Sequence, residues 1–177
     1  MESHLTLSPE INTELEKRKL ELIQANETTE FLNKADTVSL PSWPEFMLHD
    51  VVANKYWYLV NEKQAAFQFA LLDKKTGKWI AVGNSIPVQW LRPLEELPDE
   101  GWDWALASGM ENDAPPNILC ALAIQILPDY RGGGLSRVMV GIMKEIGHHY
   151  GFDQLIAPVR PNKKCDYPLL PMTDYIE

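Results

Sequence analysis

Leu135, Val138, Met139, Ile142, Met143 and Ile146 fall at steps of three and four. That spacing lays them along one side of a helix and turns Arg137, Lys144, Glu145, His148 and His149 away from it. Gly151 stands where such a helix ends, since glycine takes the left-handed conformation that closes a last turn. Upstream, residues 118–127 (ILCALAIQIL) are almost continuously apolar. A strand covered on both faces has this pattern, which puts it well inside a sheet. Residues 152–159 supply a further strand, and strand–helix–strand order predicts parallel pairing by a right-handed crossover.

The earlier half of the chain is less regular. Ser8-Pro9-Glu10 is a helix start, with a capping hydroxyl, proline in the first turn and an acid near the positive end of the dipole. Ile11, Leu15, Leu20, Leu22 and Ile23 extend an amphipathic helix to about Asn26, and a second short helix is expected around Glu30, Phe31 and Leu32. Residues 1–40 therefore read as a helical N-terminal part of one domain spanning 1–177. A helical turn is expected at residues 45–48. Residues 56–60 (YWYLV) fit either a helix or a strand. Residues 66–72 and 79–86 flank Lys74-Lys75-Thr76-Gly77 as a hairpin. Residues 87–101 carry prolines and acids and connect to a helical turn at 102–107. The pattern contains no internal repeats.

Composition narrows the partners. Of 177 residues, 45% are hydrophobic and 23% charged, an ordinary globular balance. A net charge of -9 argues against nucleic acid and against an anionic membrane surface. No apolar run approaches the ~20 residues of a membrane span. Cys120 and Cys165 lie far apart and outside metal-ligand spacing, so free thiols, no bound metal and a cytoplasmic setting are expected.

The chemistry concentrates where the apolar strand meets the long helix. Pro128-Asp129-Tyr130 leads into Arg131, Gly132, Gly133, Gly134, Leu135 and Ser136. The first backbone N–H groups of a helix lack internal partners and sit at the positive end of its dipole, which makes an anion site. Glycines let a bulky phosphate approach the backbone. Neither a Gly-x-Gly-x-x-Gly nor a Gly-x-x-x-x-Gly-Lys-Ser/Thr pattern is present, which lowers dinucleotide and P-loop readings.

This segment resembles the acyl-coenzyme A-binding motif of the GNAT superfamily of N-acetyltransferases, Gln/Arg-x-x-Gly-x-Gly/Ala between a strand and the following helix. Arg131 matches its first position and Gly134 its fourth, while Ser136 replaces the last small residue. The order of elements from about Phe67 to Val159 agrees with that family. The resemblance implies an α/β (α+β) fold with a mixed, mostly antiparallel sheet. A central parallel strand pair in it is flanked by helices. It also implies transfer of an acetyl group from acetyl-CoA, as cosubstrate, to the amine of a small molecule or peptide. Amides of residues 131–136 would hold the pyrophosphate, and the backbone of Ile124, Gln125 and Ile126 would pair with the pantetheine arm where the parallel strands splay.

The family often uses a tyrosine after the fifth strand to protonate the leaving thiolate. Tyr167, behind Asn162, is the candidate here, although the family's Asn-x-x-Ala-x-x-x-Tyr spacing falls on Leu169. Tyr175 is the weaker alternative. The strand at 118–127 contains no acid, so a general base would be Asp103, Glu111 or a water chain. His148 and His149 suit the negative end of a helix better than catalysis. Trp90, Trp102, Trp104 and Tyr56 are candidates for an acceptor pocket.

The family's fold continues after the fifth strand with a helix and two more antiparallel strands, for which residues 166–177 are too few. A truncated chain, a second copy or partner completing the sheet, or early strands rearranged over the open edge would account for this. The competing functions are a non-catalytic acyl-CoA-binding module and an interaction protein that pairs through the sheet edge.

Overall fold

The computed structural model describes residues 5–43, 45–159, 163–167 and 169–175, apart from the side chains of Phe46 and Cys165. A five-stranded sheet in the order β1-β2-β3-β4-β5 carries the architecture. Its strands are β1 (Leu20–Gln24), β2 (Gln68–Asp73), β3 (Lys78–Val88), β4 (Ile118–Ile126) and β5 (Leu155–Ile156). The first four pair antiparallel and β5 joins β4 in parallel. Among the described residues no strand lies on the outer side of β5.

Five helices cover the two faces: α1 (Pro9–Arg18), α2 (Phe31–Ser39), α3 (Val51–Lys63), α4 (Trp102–Glu111) and α5 (Leu135–His149). On one face, Met139, Ile142, Met143 and Ile146 of α5 are fully buried with Phe69, Leu71, Ile80 and Leu119 of the sheet. Each such side chain stabilises the fold by about 1.5–3 kcal/mol. On the other face, α2 packs over Ala70 and Val82. There α3 and α4 also enclose Ile86, Val88, Ile118 and Cys120. The ambiguous 56–60 segment is thus helical, with Tyr56 and Val60 turned to the core.

Three expectations change. The first helix does not reach Asn26: Lys19 takes φ 61°, ψ 39° and its N–H returns to Glu16 and Leu15, closing α1. The chain then enters β1, and Lys74 N–H bonds the Lys19 carbonyl at 2.9 Å. The helical N-terminal part is accordingly two helices divided by an edge strand. Pairing with β2 outweighs helical propensity here, since Leu20 and Gln24 are both buried by it.

Of residues 152–159, only Leu155 and Ile156 form strand. The parallel pair therefore stands at one side of the sheet. Glu145 does not face solvent alone: its carboxylate accepts from the Ser8 N–H at 2.7 Å and from the Ser8 hydroxyl. This ties the N-cap of α1 to α5.

Candidate active site

β4 is where the sheet opens. Its register with β3 shifts between Asn84, opposite Ala123, and Ser85, opposite Ala121, leaving Leu122 as a bulge. Bulges bend a strand and redirect the residues beyond them. The Nε1–H of Trp102 donates to the Leu122 carbonyl at 2.9 Å and holds the bend. On the other side, β5 pairs only with Leu119 and Cys120. From Ala121 onward β4 has left its parallel neighbour, and the edge from Ile124 to Ile126 faces a cleft.

That cleft continues into the glycine turn. Its volume is about 510 Å³, and its walls include Ile124, Gln125, Ile126, Arg131, Gly132, Gly134, Leu135 and Ser136. Gly132 and Gly134 have φ of 82° and 74°, a conformation that costs a residue with a Cβ about 1–2 kcal/mol. Gly134 is the N-cap of α5 and contributes no side-chain cap. Arg137 N–H reaches the Gly134 carbonyl at 3.1 Å. Among the described residues, the N–H groups of Gly132, Gly133, Gly134, Leu135 and Ser136 have no protein acceptor. Free donors at a helix N-terminus beside a hollow form an anion site.

Side chains brace this turn from behind. Arg131 spends its Nε–H on the Ile126 carbonyl at 2.8 Å, clamping the loop to the end of β4. Arg18 of α1 donates from Nη2 to the Gly133 carbonyl at 2.8 Å and pairs with Glu14 at 3.1 Å. Tyr130 lines the cleft, and its hydroxyl donates to Asp73 at 2.8 Å. The Lys75 N–H and the Tyr130 hydroxyl hold the Asp73 carboxyl below the usual range. The same carboxylate pushes the Tyr130 phenol up, which makes it a poorer proton donor.

Gln125 stands apart. It is 6% exposed, and neither its side-chain oxygen nor its nitrogen has a partner. An unpaired buried amide costs about 1–3 kcal/mol per group. Its place in the wall of the cleft suits a polar ligand group that would pair with it.

No family model matches the chain. An arginine N-acetyltransferase of Aspergillus versicolor, avaD, is 32% identical over 145 residues, 76% of this chain and 49% of that protein. The chain thus spans about half the length of this curated relative. The loading GNATL domain of CurA from Lyngbya majuscula superposes with a TM-score of 0.66 at 21% identity, over 89% of this chain and 73% of that one. The chain thus shares the GNAT fold of that domain. The aminoglycoside N-acetyltransferase AAC(6')-Iy, solved with a coenzyme A bisubstrate analogue, gives 0.52 at 14% identity over 85% and 86%.

On this GNAT frame the expected cosubstrate residues converge with two exceptions. Gly133 faces Arg18 rather than the cleft: a Cβ built on it would lie 3.6 Å from Arg18 Nη1. Asn162 lies outside the described residues. Tyr167 is exposed, stacks on Tyr175 with ring centres 5.8 Å apart, and is not part of the cleft wall. Glu111 is engaged by Lys55 at 2.8 Å and by the Tyr56 hydroxyl, which accounts for both Glu111 and Tyr56. Trp90 and Trp104 pack on each other at 5.4 Å. Only Trp102 of the four expected aromatics lines a pocket with other indoles, and its partners there, Trp43 and Trp57, were not anticipated. Arg18, Ser42 and Tyr130 were likewise missed, although a cation or hydroxyl close to a glycine turn leaves no mark in the local pattern.

Proposed function

We propose that the chain transfers an acetyl group from acetyl-coenzyme A to an amine. One observation carries this: unpartnered amides, two left-handed glycines and the splayed edge of β4 meet in a single cleft. The pyrophosphate takes the N–H groups of residues 132–136, and the pantetheine amides pair along Ile124, Gln125 and Ile126. A backbone N–H beside the Leu122 bulge then faces the thioester carbonyl and stabilises the oxyanion of the tetrahedral intermediate. The activity of the avaD relative on arginine supports an amine acceptor with a cationic side chain.

Two proton transfers complete the step. The attacking amine loses a proton, for which water or Asp103 is the proposed path, and the coenzyme A thiolate gains one. Tyr167 remains the proposed donor and Asn162 a proposed cosubstrate contact. Support for Tyr167 is its exposed phenol after β5, together with the engagement of the Tyr130 hydroxyl by Asp73. A Tyr167→Phe variant is expected to lose turnover while binding acetyl-CoA as the parent does.

A cytoplasmic setting and a second copy pairing along β5 belong to the same proposal. The Cys120 thiol, pushed up to about 12 by burial, stays protonated and unreactive. Among the described residues, no helix is long and apolar enough to cross a membrane. Sedimentation would show the second copy as a dimer.

Thiol release from acetyl-CoA, assayed with a panel of amines including arginine, tests the function. Amine-dependent release is expected. Binding of acetyl-CoA with no release on any amine would instead favour a non-catalytic binding module.

A further inference from the structure

A hollow of about 140 Å³ is walled by Trp43, Trp57 and Trp102 with Asp36, Leu40 and Met47. The indoles form a three-sided box: ring centres are 5.1 Å apart for Trp43 and Trp57, 5.9 Å for Trp57 and Trp102, and 6.4 Å for Trp43 and Trp102. Two of these contacts are edge to face, at 89° and 75°, and the third is tilted at 30°, so the three indoles pack on one another and together present an aromatic wall to the space. A cavity of about 150 Å³ accommodates a molecule the size of benzene. This one takes a head group, not a whole cosubstrate.

Asp36 decides what kind of head group. It lies in the later turns of α2, where the helix dipole opposes a negative charge. Burial raises its pKa, and among the described residues no hydrogen bond or neighbouring cation offsets that. Lys34, on the same helix, is spent on Glu30 at 2.8 Å. A carboxylate kept half-buried against both effects lowers the stability of the empty protein. A cation between it and the indole faces would relieve the desolvation and gain cation–π attraction.

The box is also joined to the proposed chemistry. Ser42 lines the glycine cleft while its neighbour Trp43 lines the box. Trp102 reaches from the box to the Leu122 carbonyl at the bend of β4. A molecule seated by its charged end among the indoles has its remaining length beside the strand that bears the cosubstrate edge.

We propose that Trp43, Trp57, Trp102 and Asp36 bind the cationic head, guanidinium or alkylammonium, of the acceptor. This rests on the acetyl-transfer reading for the word acceptor but not for the binding itself. Tryptophan fluorescence, titrated without acetyl-CoA, compares arginine and lysine with citrulline, the neutral isostere of arginine. Saturable binding of arginine or lysine is expected, with citrulline about tenfold weaker.

Asp36→Asn is expected to weaken the cation about tenfold. It should leave citrulline and acetyl-CoA binding unchanged and raise the melting temperature. Trp57→Leu should act on the cation alike, and circular dichroism confirms its fold. Should that variant not fold, Asp36→Asn decides. Equal affinity for arginine and citrulline, no binding of either cation, or an unaffected Asp36→Asn variant would overturn the box. Cation binding without acetyl-CoA binding would uphold the box and remove the transferase reading, so the two fail separately.

Discussion

Replacing the loop glycines by alanine, one at a time, separates backbone strain from ligand contact. Gly132 and Gly134 sit at φ 82° and 74°, and a Cβ on Gly132 would meet nothing within 4 Å. Any loss of stability in Gly132→Ala is therefore conformational, about 1–2 kcal/mol. For a domain of this size 1 kcal/mol moves Tm by about 2–4 °C, so a fall of about 2–8 °C is expected for either variant.

Gly133 is outside the left-handed region, and its added methyl would make ordinary contact with Arg18 at 3.6 Å. Gly133→Ala should raise stability by about 0.4–1 kcal/mol, because alanine restricts the unfolded chain. Calorimetric melting of the three variants reads the signs directly. The variants at 132 and 134, which line the cleft, should also bind acetyl-CoA more weakly, and Gly133→Ala should not. A Gly133→Ala variant destabilised as much as Gly132→Ala would refute the division of the loop into strained and unstrained positions.

Three further outcomes are expected. Gln125→Leu removes unpartnered buried amide atoms, so the empty protein should gain about 1 kcal/mol in urea unfolding while acetyl-CoA affinity falls. Trp102→Phe deletes the Nε1–H donor to the Leu122 carbonyl and should cost about 1 kcal/mol by the same measurement. The folded pKa of Asp73 lies below its ordinary 3.8. Its charge therefore contributes stability above that value, lost as pH falls through the lowered one. Tyr130→Phe should flatten this acid limb in melting curves taken from about pH 6 downward.

The α5 stripe is legible because it repeats one strong local period that its buried residues follow, and β4 because its apolar run is almost unbroken, as a strand inside the sheet requires. The hairpin is legible from its turn, and the glycine turn from its composition. β1 is not, because LELIQ satisfies helix and strand alike, and the break before it falls on Lys19 at φ 61°, where no glycine marks it. The Leu122 bulge has no signal of its own: it arises from register between β3 and β4. The indole box is assembled from Trp43 after α2, Trp57 in α3 and Trp102 in α4. The Arg18 bond to Gly133 spans 115 positions. Contacts of that range are products of the packed fold, which no window of sequence displays.

The central claim is that the amides of residues 132–136 await a diphosphate. Isothermal titration with acetyl-CoA tests it most directly, with Gly132→Ala alongside. The account predicts one-to-one binding, with Kd in the ~1 μM to 1 mM range of ordinary enzyme substrates, weakened in the variant. Absence of heat at millimolar acetyl-CoA from a folded protein, or equal affinity in both proteins, would contradict it.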